Sequence, residues 1–231
     1  MTPNKNTPTK KTGNRQSIII GIIAIIIIAI VAYAVIKQSM TPSQESNPIT
    51  TASPVPSASP TPVASSSSSN NGTKVLLHTT AGDITIQLRT DKPITTANFV
   101  NIVQKGWYDG TTFYRTIADF MIQGGKISQT VPSIQDEIGT NNHNVNYTIA
   151  MAKTSQPNSA TSEFFINAAD NSKITYSDGT TFDGTYTVFG TVISGLSVVD
   201  TIANAPVTTN ASHEKSQPIN PVTLIKASII S

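Results

Sequence analysis

Residues 113–125 read Phe-Tyr-Arg-Thr-Ile-Ala-Asp-Phe-Met-Ile-Gln-Gly-Gly. Arg115 is the one cation of this stretch, and it sits among aromatic and aliphatic residues. Two runs rich in β-forming residues, 112–117 and 120–123, flank a short polar break at Ala118-Asp119. Strand alternation predicts Phe113 and Arg115 on one face, and Phe120 and Ile122 opposite Met121 and Gln123. The closing Gly124-Gly125 suits a tight turn or a close backbone approach. Neighbouring strands can thus offer a guanidinium, a carboxamide and a soft apolar surface. A β-hairpin with a snorkelling arginine would have the same pattern, so this stretch alone does not decide the chemistry.

Other reaction classes find no support in the residues. The chain has no cysteine, which excludes a disulfide framework, a thiolate metal site and a cysteine nucleophile. His78, His143 and His213 lie far apart with no ligand spacing, so no metal is expected. Gly124-Gly125-Lys126 lacks the frame of a phosphate-binding loop, and there is no G-x-S-x-G elbow for a serine hydrolase. Asp178 and Asp183, with glycines beside them, lack calcium-loop spacing and read as turn residues.

Three further blocks join the first. Residues 147–167 contain Tyr-Thr-Ile-Ala-Met-Ala and, after a polar loop, Ser-Ala-Thr-Ser-Glu-Phe-Phe-Ile-Asn; 182–192 read Phe-Asp-Gly-Thr-Tyr-Thr-Val-Phe-Gly-Thr-Val; 195–202 read Gly-Leu-Ser-Val-Val-Asp-Thr-Ile. In this order and spacing, residues 74–231 resemble the cyclophilin family of peptidyl-prolyl isomerases in its bacterial form. The resemblance implies no cofactor, and proline-containing polypeptides as partners.

Rotation about a peptide bond meets a barrier of about 18–20 kcal/mol, set by C–N resonance, and unaided prolyl isomerisation takes tens to hundreds of seconds. Catalysis needs neither nucleophile nor proton relay, only a site that binds the twisted amide better than either planar form. Twisting gives the prolyl nitrogen a lone pair, to which a fixed guanidinium can donate. The resemblance makes Arg115 that guanidinium. It places Phe120, Met121 and Phe165 around the prolyl ring with Phe182 as a fourth wall, Gln123 against the substrate carbonyl region, and Ala152 along the substrate backbone. The family's pocket tryptophan falls at Thr181, which implies weak cyclosporin binding, and its pocket histidine falls at Tyr186, which keeps an aromatic ring and adds a hydroxyl. A family glutamine is replaced by Glu163, a carboxylate that could pair with Arg115 or compete with substrate. A tethered proline-peptide binding module, or a holdase with little turnover, is the alternative that the altered pocket leaves open.

Upstream of this region the composition changes. Residues 1–16 are polar and basic, and 17–36 form an uncharged run of 20 residues dominated by isoleucine. That is about the length needed to span a bilayer as a helix. Four cations precede the run and Lys37 follows it, which predicts a signal anchor with a cytoplasmic N-terminus and everything after it outside the cell membrane. Ala32-Tyr33-Ala34 also forms a signal-peptidase-like site, and cleavage after Ala34 would give a secreted chain. Residues 37–73 are rich in Ser, Thr and Pro without an aromatic residue, and predict a disordered tether. From Lys74 onward 10 basic residues face 12 acidic ones, which argues against nucleic-acid binding.

Within the domain, strands are expected at 74–79, 84–89, 147–152, 164–167, 188–193 and 222–230, besides the two in the Arg115 stretch. A hairpin turn is expected at Ala81-Gly82-Asp83. Helices are expected at 93–105, with Thr96, Phe99, Val100 and Val103 on the inner face, and at 195–204. Many short strands with two helices predict a mainly β domain, which the resemblance sharpens to a closed eight-stranded antiparallel barrel capped by two helices. Nothing in the sequence points to an oligomer, and a monomer is expected.

Overall fold

The computed structural model describes residues 72–230. The basic tail, the apolar run at 17–36, the site after Ala34 and nearly all of the tether lie outside the described residues. Among the described residues no helix is long and apolar enough to cross a membrane.

β1 (Lys74–Thr79) buries Val75, Leu77 and Thr79, and β2 (Gly82–Leu88) buries Ile84, Ile86 and Leu88. This is the period-two pattern of strands with one face inward. Their register pairs Thr79 with Gly82. The turn is therefore Thr80-Ala81, one residue earlier than expected, and Gly82 and Asp83 belong to β2. The helix α1 (Pro93–Gln104) starts on its proline and stops before Gly106, which has φ +64°. Its buried residues are Thr95, Phe99, Ile102 and Val103, not the expected set. Spacing of i, i+4, i+7 and i+8 defines one stripe. Thr96 turns away from that stripe to donate to the Arg89 carbonyl at 2.9 Å.

β3 (Arg115–Ile117) and β4 (Met121–Gly124) form the hairpin of the Arg115 stretch, with Arg115 opposite Gln123. β5 (Thr148–Met151), β6 (Phe164–Asn167) and β7 (Val188–Ser194) follow, then α2 (Leu196–Ala203). β8 (Val207–Thr209) and β9 (Lys215–Pro218) make a separate small hairpin that the sequence reading missed, and β10 (Leu224–Ile230) closes the chain. The main sheet has eight strands in the order β10-β1-β2-β7-β5-β6-β4-β3, and every pair is antiparallel. The fold is thus mainly β, an eight-stranded antiparallel curled sheet with two helices. Its outer strands β3 and β10 share no ladder. They meet through the segment before β3, where a bridge links Thr112 to Thr223, Phe113 N–H donates to the Val222 carbonyl (3.0 Å) and Leu224 N–H to the Thr111 carbonyl (2.8 Å).

The sheet separates two apolar clusters. The larger, inner one contains Leu77, Ile86, Phe99, Ile122, Phe164 and Phe189, all fully shielded from solvent. The smaller one lies on the other face and contains Phe120, Met121, Ala150, Phe165, Phe182 and Val188. Alternation along β6 sends Phe164 inward and Phe165 outward. It fails before β3, because residues 112–114 are outside the strand: Phe113 joins the inner core while Arg115 lies with the outer cluster. Phe120 precedes β4 at the end of the turn that contains Asp119 (φ +57°), and so shares the outer cluster with Met121 instead of facing away from it.

Candidate active site

The outer cluster forms the floor of a cleft of about 430 Å³. Four rings build it: Phe182 stands 5.6 Å from Phe120, 5.8 Å from Phe165 and 4.6 Å from Tyr186, and Phe165 meets Tyr186 at 5.3 Å and 90°. Such tilted and edge-on pairs fix one another's orientation. Met121 and Ala152 complete the lining beside them. Ala152 is held by its N–H, which donates to the Glu163 carbonyl at 2.9 Å.

Arg115 stands at the rim with its side chain 16% exposed. Its Nε donates to Glu214 Oε2 at 2.7 Å and its Nη2 to Glu214 Oε1 at 2.8 Å, while Nη1 donates to Gln123 Oε1 at 3.2 Å. A guanidinium has five N–H groups. After these bonds one N–H on each η nitrogen has no oxygen partner among the described residues, and Met121 Sδ, 3.8 Å from Nη1, is a weak acceptor. The fork is aimed, and two of its five N–H groups lack an oxygen partner among the described residues at the edge of an apolar cleft.

Glu214 was not foreseen. It precedes β9 in the small hairpin, with its side chain 3% exposed. Ser216 Oγ donates to its Oε2 at 2.6 Å, and its own N–H donates to Asn210 Oδ1 at 3.0 Å. The signal in the sequence was faint: a β-branched run at 207–209, then Asn210 opening a turn that receives the Ser212 N–H at 2.9 Å. Burial pushes the Glu214 carboxyl up, but the Arg115 hydrogen bonds and charge outweigh it, with help from Ser216, and the group lies below the 4.5 ordinary for glutamate. A carboxyl depressed by folding stabilises the folded state above its ordinary value and loses that contribution as pH falls through the lowered one. Acid titration of the wild type should therefore show a loss of stability below about pH 4.5 that Glu214→Gln lacks. Matched pH dependences of the two denaturation midpoints would remove Glu214 from the acid response.

Glu163 does not pair with Arg115. It accepts hydrogen bonds from the Tyr114 hydroxyl and from Gln123 Nε2 (2.9 Å) through Oε2. Gln123 Nε2 also donates to Tyr114 Oη at 2.5 Å. Burial, reinforced by Glu163, pushes the Tyr114 hydroxyl well up, so it stays a donor. Thr181 is exposed and does not line the cleft, whereas Tyr176, which the sequence reading passed over, does. Tyr186 and Phe182 are held from behind by Asn142, whose Nδ2 donates to the carbonyls of Asp183 (2.5 Å) and Tyr186 (2.8 Å). The long polar connection that contains Asn142 is anchored at its middle too, since Glu137 accepts the Ile94 and Thr95 N–H groups at the start of α1 (3.1 and 2.8 Å).

The model of the cyclophilin type peptidyl-prolyl cis-trans isomerase family matches residues 74–229. The chain belongs to this family. A peptidyl-prolyl cis-trans isomerase of Acinetobacter baylyi is 43% identical over 166 residues, covering 69% of this chain and 86% of the relative. One of Streptomyces antibioticus is 40% identical over 163 residues, covering 68% and 98%. Among solved structures, a Cryptosporidium parvum cyclophilin type isomerase crystallised in the presence of the dipeptide Ala-Pro matches with a TM-score of 0.57 at 27% identity, over 68% of this chain and 99% of that one. The chain is a cyclophilin-type peptidyl-prolyl cis-trans isomerase, an enzyme that rotates X-Pro bonds and takes proline-containing peptides as substrates.

Proposed function

We propose that this isomerase acts on exported proteins, outside the cell membrane, from an N-terminal anchor at 17–36 and a tether at 37–73. The apolar run, its flanking cations and the proline-rich stretch that follows support this reading. Protease added to intact cells should remove the domain while leaving the basic tail protected. A domain that resists until the membrane is broken would overturn the export reading and leave the enzyme untouched.

Within the site, Arg115 is the catalytic residue. One N–H on each of its η nitrogens has no oxygen partner among the described residues, and Arg115 lines the ring-sized apolar cleft; this observation carries the assignment. Phe120, Met121, Phe165, Phe182 and Tyr186 hold the prolyl ring, Ala152 flanks the substrate backbone, and the free N–H fork donates to the prolyl nitrogen as the amide twists. The fork is pre-aimed, so its hydrogen bonds strengthen only as the nitrogen gains a lone pair, which is differential stabilisation of the transition state. Glu214 is the positioning residue that holds the fork. The exposed Thr181 leaves the rim without the family's tryptophan, which supports weak cyclosporin binding. The test is NMR exchange between cis and trans forms of an Ala-Pro peptide with the full-length chain, wild type beside Arg115→Ala. Acceleration lost in the variant supports the assignment; equal acceleration would remove Arg115 from the chemistry.

A further inference from the structure

The hydrogen-bond capacity around Gln123 is almost used up. A carboxylate only accepts and a guanidinium only donates, so an amide between Glu163 and Arg115 has one orientation: nitrogen toward Glu163, oxygen toward Arg115. Both Nε2 hydrogens are then taken, by Glu163 Oε2 and Tyr114 Oη. Gln123 keeps a single free capacity, the second lone pair of Oε1, and that is an acceptor. Glu163 adds more of the same kind, because among the described residues its Oε1 accepts nothing. Gln123 therefore has no free donor to offer the substrate carbonyl region against which the resemblance places it.

Charge points the same way. Arg115 is neutralised by Glu214 in a bidentate pair. Glu163 is half-buried, and among the described residues no lysine, arginine or histidine nitrogen lies within 4.0 Å of it. Lys126 is exposed and sits over the Tyr114 ring, 5.7 Å from its centroid. Arg115, Glu214 and Glu163 together carry one net negative charge; of the other charged residues that line the cleft, Lys153 is paired with Asp136 at 2.5 Å and Asp178 is exposed and acidic. The net negative charge of the three lies beside the prolyl cleft on the Gln123 side.

We infer that this side of the site selects substrates by charge: the acceptor pair Gln123 Oε1 and Glu163 Oε1 takes a cationic or N–H-rich group flanking the proline and disfavours an acidic one. The inference rests on the proposed use of the cleft for the prolyl ring. A neutral amide at 163 could accept or donate as the substrate required, whereas a carboxylate only accepts and repels acids, which makes Glu163 a specificity-determining residue.

The experiment uses a set of alanine-based peptides around one proline, with Lys, Gln or Glu placed in turn at each of the two positions before and after it. At low salt the wild-type chain should favour Lys over Glu in kcat/KM by about tenfold at one position at least, the range of a charge-assisted contact. The ratio should shrink in 0.5 M salt, where exposed charges more than about 4–5 Å apart are largely screened, and should collapse in Glu163→Gln. A Lys-to-Glu ratio near one at all four positions, or one that survives both salt and Glu163→Gln, overturns the inference. The all-alanine peptide separates this failure from a failure of the proposed cleft. If it is accelerated and the ratios are flat, only the charge selection is wrong. If it is not accelerated, the cleft assignment fails, and the same Lys-to-Glu comparison is read from peptide affinities.

Discussion

Replacing Arg115 by alanine is expected to lower the catalysed exchange of an Ala-Pro peptide by about a hundredfold or more, the usual scale for removing a donor aimed at developing charge. Stability should fall as well. Glu214 would be left with 3% of its side chain exposed and no cation, and breaking one side of a buried pair costs about 3–5 kcal/mol. A domain of this size has about 5–15 kcal/mol in all, so the variant should fold but melt early. Two companions separate rate from stability. Arg115→Lys keeps the charge beside Glu214 but loses the planar fork; it should keep most of the stability and lose most of the rate. Arg115→Met with Glu214→Leu removes both charges and should regain stability without regaining rate. Lysine at 115 supporting near wild-type exchange would show that charge alone suffices and that the aimed fork is irrelevant.

The second large effect is expected at Gly125. Its φ is +77°, and an added Cβ would stand 2.7 Å from Phe164 Cδ1 and 2.8 Å from the Ser162 carbonyl oxygen. Neither neighbour can yield cheaply, since Phe164 is fully buried in the inner core and the carbonyl is backbone that also accepts the Tyr108 hydroxyl at 2.8 Å. Strain from a left-handed backbone adds about 1–3 kcal/mol and overpacking a similar amount. Gly125→Ala should therefore cost about 3 kcal/mol or more, roughly 10 °C in Tm for a domain of this length. Gly110→Ala is the control, because its φ is +79° but nothing lies within 4 Å of the added Cβ; it should lose only the backbone share. Equal losses at the two sites by thermal denaturation would mean that contact at Phe164 contributes nothing.

The parts of this molecule legible in the sequence are those fixed by local pattern. β1 and β6 carry their periodicity in consecutive residues, and the Arg115 stretch carries its chemistry in order. The cleft residues Phe120, Met121, Phe165, Phe182 and Tyr186 were all legible through the family resemblance. What failed depends on partners far away in the chain. Glu214 lies 99 residues from Arg115, and a polar hairpin of three- and four-residue strands has no hydrophobic run to announce it. Glu163 was expected near Arg115, and it is near, but Gln123 stands between them and Tyr114 competes for the carboxylate. The inner face of α1 was misplaced at two positions: Thr95 and Ile102 are buried where Thr96 and Val100 were expected, and Thr96, the same residue type as Thr95, instead donates to the Arg89 carbonyl.

The neighbouring placement of β1 and β10 bears on how the domain comes to be folded at all. Lys74 pairs with Ile230, so the first strand finds one of its two partners only at the far end of the domain. A chain emerging from its N-terminus must hold Val75 and Leu77 half-covered until the last strand arrives, and closing so long a loop makes folding slow and late. During that interval the edge of β1 is an exposed template for pairing with other chains. A protein whose task is to speed the folding of others would thus itself be among the later ones to finish.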